Sequence, residues 1–338
     1  MRRKQPDAAR RTTIYDIARL ADTSASAVSS VLNGSWQKRR ISQRLADKIL
    51  QIAEQEGYAA NAQASLLRRA RSNIVGMIVP KYDNRYFGAI AEKFEALARA
   101  RGLFPVITCT QREPALEVEA AKELISFQAE CLIATGATDP DKLTALCQAA
   151  GVQSFNLDLP GFAAPSVISD NYTGAYQLTE ILLDRCKADL GLDGPLWFVG
   201  GRVTDHNTSA RLKGFREAHL ARGIEVPDSQ VLVPGYSADR AEQALRSLPK
   251  FDKLGMFVNS TISLEGVVRW YRSLGDEPFQ FRYGCFDYDP FAALLPGNVG
   301  MVEQDTTAML NTVFDLMDRQ EAPAEPVLVP CILRGVGG

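Results

Sequence analysis

At 338 residues, with 46% hydrophobic and 8% aromatic content, the chain has the composition of a globular protein with room for two or three domains. No apolar run is long enough for a membrane helix and the N-terminus lacks a signal-peptide core, so neither a membrane protein nor an exported one is expected, and the predicted location is the cytoplasm. The net charge of -2 hides an asymmetry: residues 1–72 carry 14 Lys+Arg against 6 Asp+Glu, a surplus of 8 on a body with a deficit of 10, which points to a polyanion bound at one end only.

Residues 1–11, MRRKQPDAARR, read as a disordered basic tail. Ile14, Ile17, Ala18 and Ala21 then recur with the helical period, and Thr13 with Asp16 three residues on forms an N-terminal cap. The Asp22-Thr23 pair breaks this helix. Ser24 caps a second one, with Ala27, Val28, Val31 and Leu32 facing inward and Ala25, Ser26, Ser29 and Ser30 outward. Two short helices so close together predict a helix-turn-helix, in which compact side chains at Ala25, Ser26 and Ser29 would approach base edges in the major groove. A helical hairpin in an ordinary core is the alternative. The loop GSWQKRR, 34–40, offers Lys38, Arg39 and Arg40 to phosphates. Ser42 to Glu56 predicts a third amphipathic helix burying Leu45, Ile49, Leu50, Ile52 and Ala53. The segment Asn61 to Leu67 is too short to be a helix on its own and would fold only when something buries it, a plain linker being the other reading.

From Ile74 the pattern changes to short apolar strands alternating with amphipathic helices. Strands are expected at 74–79, 103–108, 131–134, 152–157, 195–200, 230–233, 255–258 and 282–286. Such alternation implies parallel sheets with right-handed crossovers, and this many units suit two doubly wound lobes with a cleft between them. Ligands in such folds sit beyond the carboxyl ends of the strands. The polar residues there are Asp158, Arg211, Asn259 and Asp287, with Phe87 and Asp83 after the first strand. Tyr82, Arg85, Asp205, His206 and Asn207 stand in second rank. Carboxylates accept from vicinal hydroxyls and a guanidinium donates a fork of hydrogen bonds, so the set suits a polyol. Phe87 or Trp197 could stack on a sugar face, although either also reads as core.

The N-terminal segment resembles the LacI-GalR family of bacterial transcription regulators. The family pattern V-T-x-x-D-V-A-x-x-A-G-V-S-x-x-T-V-S-x-V-L-N, followed by a helix and G-Y-x-P-N-x-x-A-x-x-L, is met at Asp16, Ile17, Ala18, Ala21, Ser24, Val28, Ser29, Val31, Leu32, Asn33, Gly57, Tyr58, Asn61, Ala64 and Leu67. Asp22 replaces the turn glycine, Ala27 a threonine, Ser30 an arginine and Ala60 a proline; the loop 34–40 is similar in length to that of the fructose and sucrose repressor subgroup.

The resemblance implies an α + α/β protein: a three-helix head over 12–60, a hinge helix and linker over 61–72, and a two-lobed effector-binding and dimerisation body over 73–338, similar to periplasmic sugar-binding proteins. The chain would cross between lobes near Asp170, Val299 and Pro326, giving an N-lobe of 73–169 plus 300–325 and a C-lobe of 170–299 plus 326–338. It further implies DNA contacts from Thr13, Ser24, Ala25, Ser26, Ser29, Asn33, Arg39, Arg40, Tyr58, Asn61, Ala64 and Leu67. Leu67 matches a leucine that wedges into the minor groove.

Asp158, Arg211, Asn259 and Asp287 match positions that hold a small effector. The resemblance implies arginines in sugar-phosphate regulators where Leu159 and Asp305 stand, which favours a free sugar, sugar alcohol or sugar acid over a sugar phosphate or a purine. The expected partners are thus a pseudo-palindromic double-stranded operator on the nucleoid, a sugar-type effector and a second copy of the chain, with Phe94, Leu97 and Ala98 at the seam, and no membrane. A transport-type sugar receptor would not explain the basic head. With two histidines and no G-x-S-x-G, H-E-x-x-H or P-loop, no catalysis is expected. The six scattered cysteines predict free thiols, with no metal and no cofactor.

Overall fold

A computed structural model describes residues 12–58, 72–275, 280–320 and 322–335, and the chain divides into two compact units at the Ser72–Asn73 boundary. In the first unit lie α1 (Ile14–Ala21), α2 (Ala25–Leu32) and α3 (Gln43–Gln55). The Thr13 and Asp16 capping box opens α1, and Asp22 ends it in the left-handed conformation at φ 56°, the backbone a turn glycine would adopt at less steric cost. Ser24 opens α2 by accepting from the Ala27 amide. Ile17, Ala21, Val28, Val31, Ala46 and Ile49 form a dry core, with Trp36 of the loop packed on its side.

Two inward-outward assignments need correction. Ser30 is buried rather than outward, donating to the Ser26 carbonyl over 2.8 Å, because the loop folds back and Ser35 bonds to the Ser30 carbonyl. Leu50 is 48% exposed, because Ala46, Ile49 and Ala53 already make the inward stripe of α3. The hinge segment, with Asn61, Ala64 and Leu67, lies outside the described residues.

The second unit holds two six-stranded sheets. The N-lobe sheet contains β1 (Ile74–Val79), β2 (Phe104–Cys109), β3 (Cys131–Thr135), β4 (Gln153–Leu157), β5 (Ser166–Ser169) and β11 (Val327–Val329), in the order β11-β5-β4-β3-β1-β2, parallel throughout. The C-lobe sheet contains β6 (Trp197–Val199), β7 (Val231–Leu232), β8 (Lys253–Val258), β9 (Gln280–Phe286), β10 (Asn298–Gln304) and β12 (Cys331–Arg334), in the order β12-β10-β9-β8-β6-β7. There β12 runs antiparallel to β10, a departure from the all-parallel expectation. Helices α4 (Arg85–Ala100), α5 (Pro114–Ser126), α6 (Pro140–Ala149) and α11 (Thr306–Arg319) cover the first sheet, and α7 (Asn171–Leu190), α8 (His206–Leu220), α9 (Ala238–Arg246) and α10 (Thr261–Ser273) the second. No described helix is long and apolar enough to cross a membrane.

Two of the three lobe crossings differ from the sequence expectation. The first lies at Asp170, between β5 and α7. The second falls at Asp305 rather than near Val299, because β10 stays in the C-lobe sheet, pairing Met301 with Cys285 and Val302 with Phe286. The third falls at Pro330 rather than Pro326, because β11 still pairs Val327 with Val167 in the N-lobe. The segments meet: the Asp170 amide donates to the Val329 carbonyl over 2.8 Å. Phe94 and Ala98 are not seam residues. Both are fully buried in the N-lobe core, where Phe94 stacks on Phe314 at 6.0 Å, and Leu97 packs against the same cluster.

Candidate functional site

The carboxyl ends of both sheets open onto one cleft of about 600 Å³, lined from the N-lobe by Lys81, Asp83, Tyr86, Phe87, Arg112, Asp158 and Leu159 and from the C-lobe by Arg202, Asp205, Asn207, Arg211, Tyr236, Asp287 and Gln304, among others. A volume of this order suits a small organic ligand. Two carboxylates stand where their strands end. Asp158 follows β4 at φ 74° and Asp287 follows β9 at φ 68°, left-handed backbone that aspartate tolerates better than most residues. Non-glycine residues held this way concentrate at functional sites.

Asp158 is 4% exposed and accepts from the Tyr86 hydroxyl over 3.0 Å and from Asn207 Nδ2 over 3.1 Å. Both bonds go to Oδ1; among the described residues Oδ2 accepts none. Burial pushes its carboxyl up to about 6, against the lowering by Arg112 and Arg211. Gly136, at φ 56°, leaves room here: a side chain in its place would crowd Oδ2 and the Phe87 ring.

Arg211 is the floor of the C-lobe side. It is 2% exposed, lies flat on the Phe286 ring at 3.7 Å, and donates from Nε to Asn171 Oδ1 over 2.8 Å and from Nη1 to the Asn259 carbonyl over 2.6 Å. Its remaining nitrogen, Nη2, stands 3.7 Å from Asp287 Oδ1, which also accepts from Gln304 Nε2 over 2.7 Å. Burial raises the Asp287 carboxyl above its ordinary value, opposed by Arg211. Asn171, just past the first lobe crossing, bonds both Arg211 and Asn207, so one chain of hydrogen bonds runs from Tyr86 through Asp158, Asn207 and Asn171 to Arg211. Asp205 caps α8, and its Oδ2 also accepts from the Tyr236 hydroxyl over 2.6 Å. The glycine pair Gly200–Gly201, at φ 105° and 85°, makes the tight turn that leaves β6.

Of the six residues expected at the effector site, Asp158, Arg211, Asp287, Phe87 and Asp83 line the cleft, Asp83 at its exposed rim. Asn259 does not: it is fully buried, with its amide nitrogen 3.4 Å from the Tyr236 hydroxyl. Trp197 belongs to the C-lobe core, edge-on to Phe251, and cannot stack on a ligand. Tyr82 is exposed and bonds the Ile107 carbonyl, His206 is exposed, and Arg85 pairs across the lobes with Asp289 at 2.5 Å. Sequence reading missed Tyr86, Arg112, Tyr236 and Gln304 as site residues. Tyr86 was next to a named candidate; the others lie in segments whose approach to the cleft is set by folding alone.

Leu159 lines the cleft and Asp305 is spent capping α11, so neither position brings a cation there; Lys81, Arg112, Arg202, Arg211, Arg240 and Arg269 line it from elsewhere, matched by as many acids: Asp83, Asp158, Asp205, Asp239, Glu265 and Asp287. Among the described residues no cluster of His, Cys, Asp and Glu has the form of a metal site, and the described cysteines are free thiols.

In the head, Ser24, Ser26, Asn33, Arg39 and Arg40 are exposed, and Ala25 and Ser29 half-buried. Asn33 donates to Ser29 Oγ over 3.3 Å one turn away, so the two form a polar strip on α2. Thr13 and Ser24 spend their hydroxyls on helix caps, and Tyr58 packs against the head core.

Residues 13–61 match the model of bacterial regulatory proteins of the lacI family, and residues 75–319 that of a periplasmic binding protein domain. Over 193 residues, 57% of this chain and 72% of the relative, the sequence is 59% identical to the ribitol operon repressor of Klebsiella aerogenes. Over 316 residues, 92% of each chain, it is 27% identical to the sucrose operon repressor of Klebsiella pneumoniae. The lac repressor dimer bound to operator and the anti-inducer ONPF superposes with a TM-score of 0.78 at 18% identity, covering 97% of this chain and 100% of that one. A CelR–cellobiose complex does so with 0.65 at 21% identity, covering 96% and 98%. These likenesses in structure carry the fold, and the sequence matches carry the kinship: the chain belongs to the lacI family of bacterial regulatory proteins, as a DNA-binding transcription regulator and not an enzyme.

Proposed function

We propose that this chain represses a polyol-utilisation operon of the ribitol kind, and that an unphosphorylated linear polyol bound between the lobes controls it. The observation that carries the effector class is the state of the buried acceptors. Gln304, in the cleft lining, has a buried Oε1 with no protein donor among the described residues, and Asp158, in the same lining, takes both its protein donors on Oδ1 and leaves Oδ2 open. Buried acceptors need donors, and hydroxyl groups supply them whereas a phosphate supplies acceptors. The equal numbers of acids and bases around the cleft agree with a neutral ligand. The identity to a ribitol operon repressor supports the same class.

On this reading a homodimer in the cytoplasm binds a pseudo-palindromic operator on the nucleoid. Ser24, Ala25, Ser26, Ser29 and Asn33 approach bases, and Thr13, Lys38, Arg39, Arg40 and Tyr58 the phosphates. The segment with Asn61, Ala64 and Leu67 reaches the minor groove. The effector couples to DNA by about 1–3 kcal/mol through the relative position of the lobes. A second reading, a sugar phosphate, draws on Lys81, Arg112 and Arg202 in the lining.

The test is operator binding by fluorescence anisotropy together with calorimetric titration of ribitol, other pentitols, pentonic acids, fructose 1-phosphate and purine bases. Saturable binding of a pentitol that changes operator affinity is the expected outcome. Response to fructose 1-phosphate alone would replace the polyol reading with the second one.

A further inference from the structure

Arg112 stands out because nothing in the sequence singles it out, and its position requires both lobes. It follows β2 in a turn where Gln111 and Arg112 are both left-handed, at φ 55° and 59°. The Thr110 amide bonds the Val79 carbonyl and the Glu113 amide the Thr110 carbonyl, which pins this turn to the end of the N-lobe sheet. Two successive non-glycine residues in that region are uncommon and have to be held by their surroundings. From there the side chain reaches into the cleft. Its Nη1 donates to the Gly136 carbonyl over 3.4 Å, its guanidinium lies 5.6 Å from the Phe87 ring of the N-lobe, and it lies 5.9 Å from the Tyr236 ring of the C-lobe. Tyr236 is in turn fastened to Asp205 at the cap of α8.

We propose that Arg112 is a specificity-determining residue of the cleft: a clasp between the Phe87 and Tyr236 rings that donates to the effector oxygens whose hydroxyls Asp158 accepts. This inference rests on the polyol reading above and deepens it. A hydroxyl has both a donor and acceptor sites, so a carboxylate and a guanidinium in one cavity bind it from both sides. A deoxy position offers neither, and a site built to bond a hydroxyl rejects an analogue lacking it.

The groups facing Asp158 are Tyr86 from α4, Arg112 from the turn after β2, and Asp205 and Arg211 from α8 and its cap. Of these, Arg112 contributes most to favouring the carboxylate. An Arg112 clasp therefore has a signature that a merely structural residue lacks. Ribitol affinity in the native chain strengthens as pH rises through about 6, where Asp158 ionises, and loss of Arg112 moves that inflection to higher pH.

The experiment is calorimetric titration of ribitol and of a 2-deoxypentitol, from pH 5 to 8, into the full chain and its Arg112→Ala, Arg112→Lys and Asp287→Asn variants. Melting temperature is recorded alongside, to confirm folding. Arg112→Ala is expected to weaken ribitol binding ~10-fold or more, to shrink the preference for ribitol over the deoxy analogue, and to shift the inflection upward. Arg112→Lys keeps the charge without the planar stacking, so it holds the inflection while losing part of the affinity. If Arg112→Ala binds both ligands as the native chain does while Asp287→Asn does not, the clasp is wrong and the cleft reading stands. If the native chain binds neither ribitol nor another pentitol, the polyol reading falls and the inference with it; if Asp287→Asn binds ribitol unchanged, the cleft is not the polyol site and the clasp falls.

Discussion

Asn207 Nδ2, from the C-lobe, donates over 3.1 Å to Asp158 Oδ1, from the N-lobe, so a hydrogen bond inside the cleft joins the two lobes whose relative position an effector would set. Asn207 is held from behind by Asn171 Nδ2, and Asn171 Oδ1 accepts a hydrogen bond from Arg211 Nε. Anything that engages Asp158 is therefore coupled, through the Asn207 side chain, to Asn171, the residue that begins the first helix after the lobe crossing. Coupling through buried hydrogen-bond chains is strong when every member is satisfied and fails when one is removed.

Effector binding and operator binding should separate by mutation. Asp287→Asn removes a charge-assisted acceptor and is expected to weaken effector binding ~10- to 100-fold, with operator affinity in the absence of effector within about twofold of native. Leu67→Ala should do the reverse, weakening operator binding while leaving effector affinity unchanged. Anisotropy with labelled operator and calorimetry with effector read the two functions independently. A folded variant that loses both would contradict the division.

Acid should destabilise the body through His219. This ring is fully buried, with Nδ1 2.7 Å from the Phe215 carbonyl and Nε2 accepting the Leu196 amide over 3.2 Å, and burial lowers its pKa from 6.5. The unfolded chain takes up the proton first. Stability is thus retained above pH 6.5 and declines as pH falls from there toward the lowered folded value. Because the raised Asp158 carboxyl acts in the opposite sense over the same range, the His219 part is read by comparison: from pH 8 to pH 5.5 denaturant melts should show the native chain losing more stability, or gaining less, than His219→Gln, which is less stable at pH 8.

Gly201→Ala should damage the cleft from beneath. At φ 85° an added methyl group would meet Thr208 Oγ1 and Asn259 Nδ2, the pair that supports Tyr236. A loss of about 2 kcal/mol or more is expected, from strain together with overpacking. Thermal melting of the full chain checks it. Gly223→Ala, at φ 71° but with open space around it, should cost only the backbone strain.

The head should respond to its caps on a smaller scale. Thr13→Ala removes the capping box of α1 and is expected to cost about 1 kcal/mol of local stability. Amide exchange over 14–21 should accelerate about fivefold, while exchange in the body stays unchanged. Asp22→Gly should slow the same amides, since glycine adopts φ 56° without steric penalty.

Sequence by itself determined whatever depends on local periodicity and local hydrogen bonding. The Thr13 and Ser24 caps, the buried stripe Ile17, Ala18 and Ala21, and the β1 strand at 74–79 are all legible because a 3.6-residue or continuous apolar pattern needs no distant partner to be recognised. Asp158 and Asp287 were legible for a related reason: a polar residue directly after an apolar strand has only the sheet's carboxyl edge to occupy.

Tertiary structure alone decided the rest. Strands β5, β10, β11 and β12 carry too little pattern of their own, and Val327–Val329 becomes a strand because Val167 and its neighbours present an unpaired edge. The crossings at Asp305 and Pro330 follow from those pairings. Phe94, Ala98 and Trp197 have the same apolar character whether they face a partner, a ligand or the core, and only packing assigned them to the core. Arg112, Tyr236 and Gln304 reach the cleft from loops and strand ends far apart in the chain. Nothing within a few residues of each encodes the meeting, because the distances that define it are set by how two sheets close around a common opening.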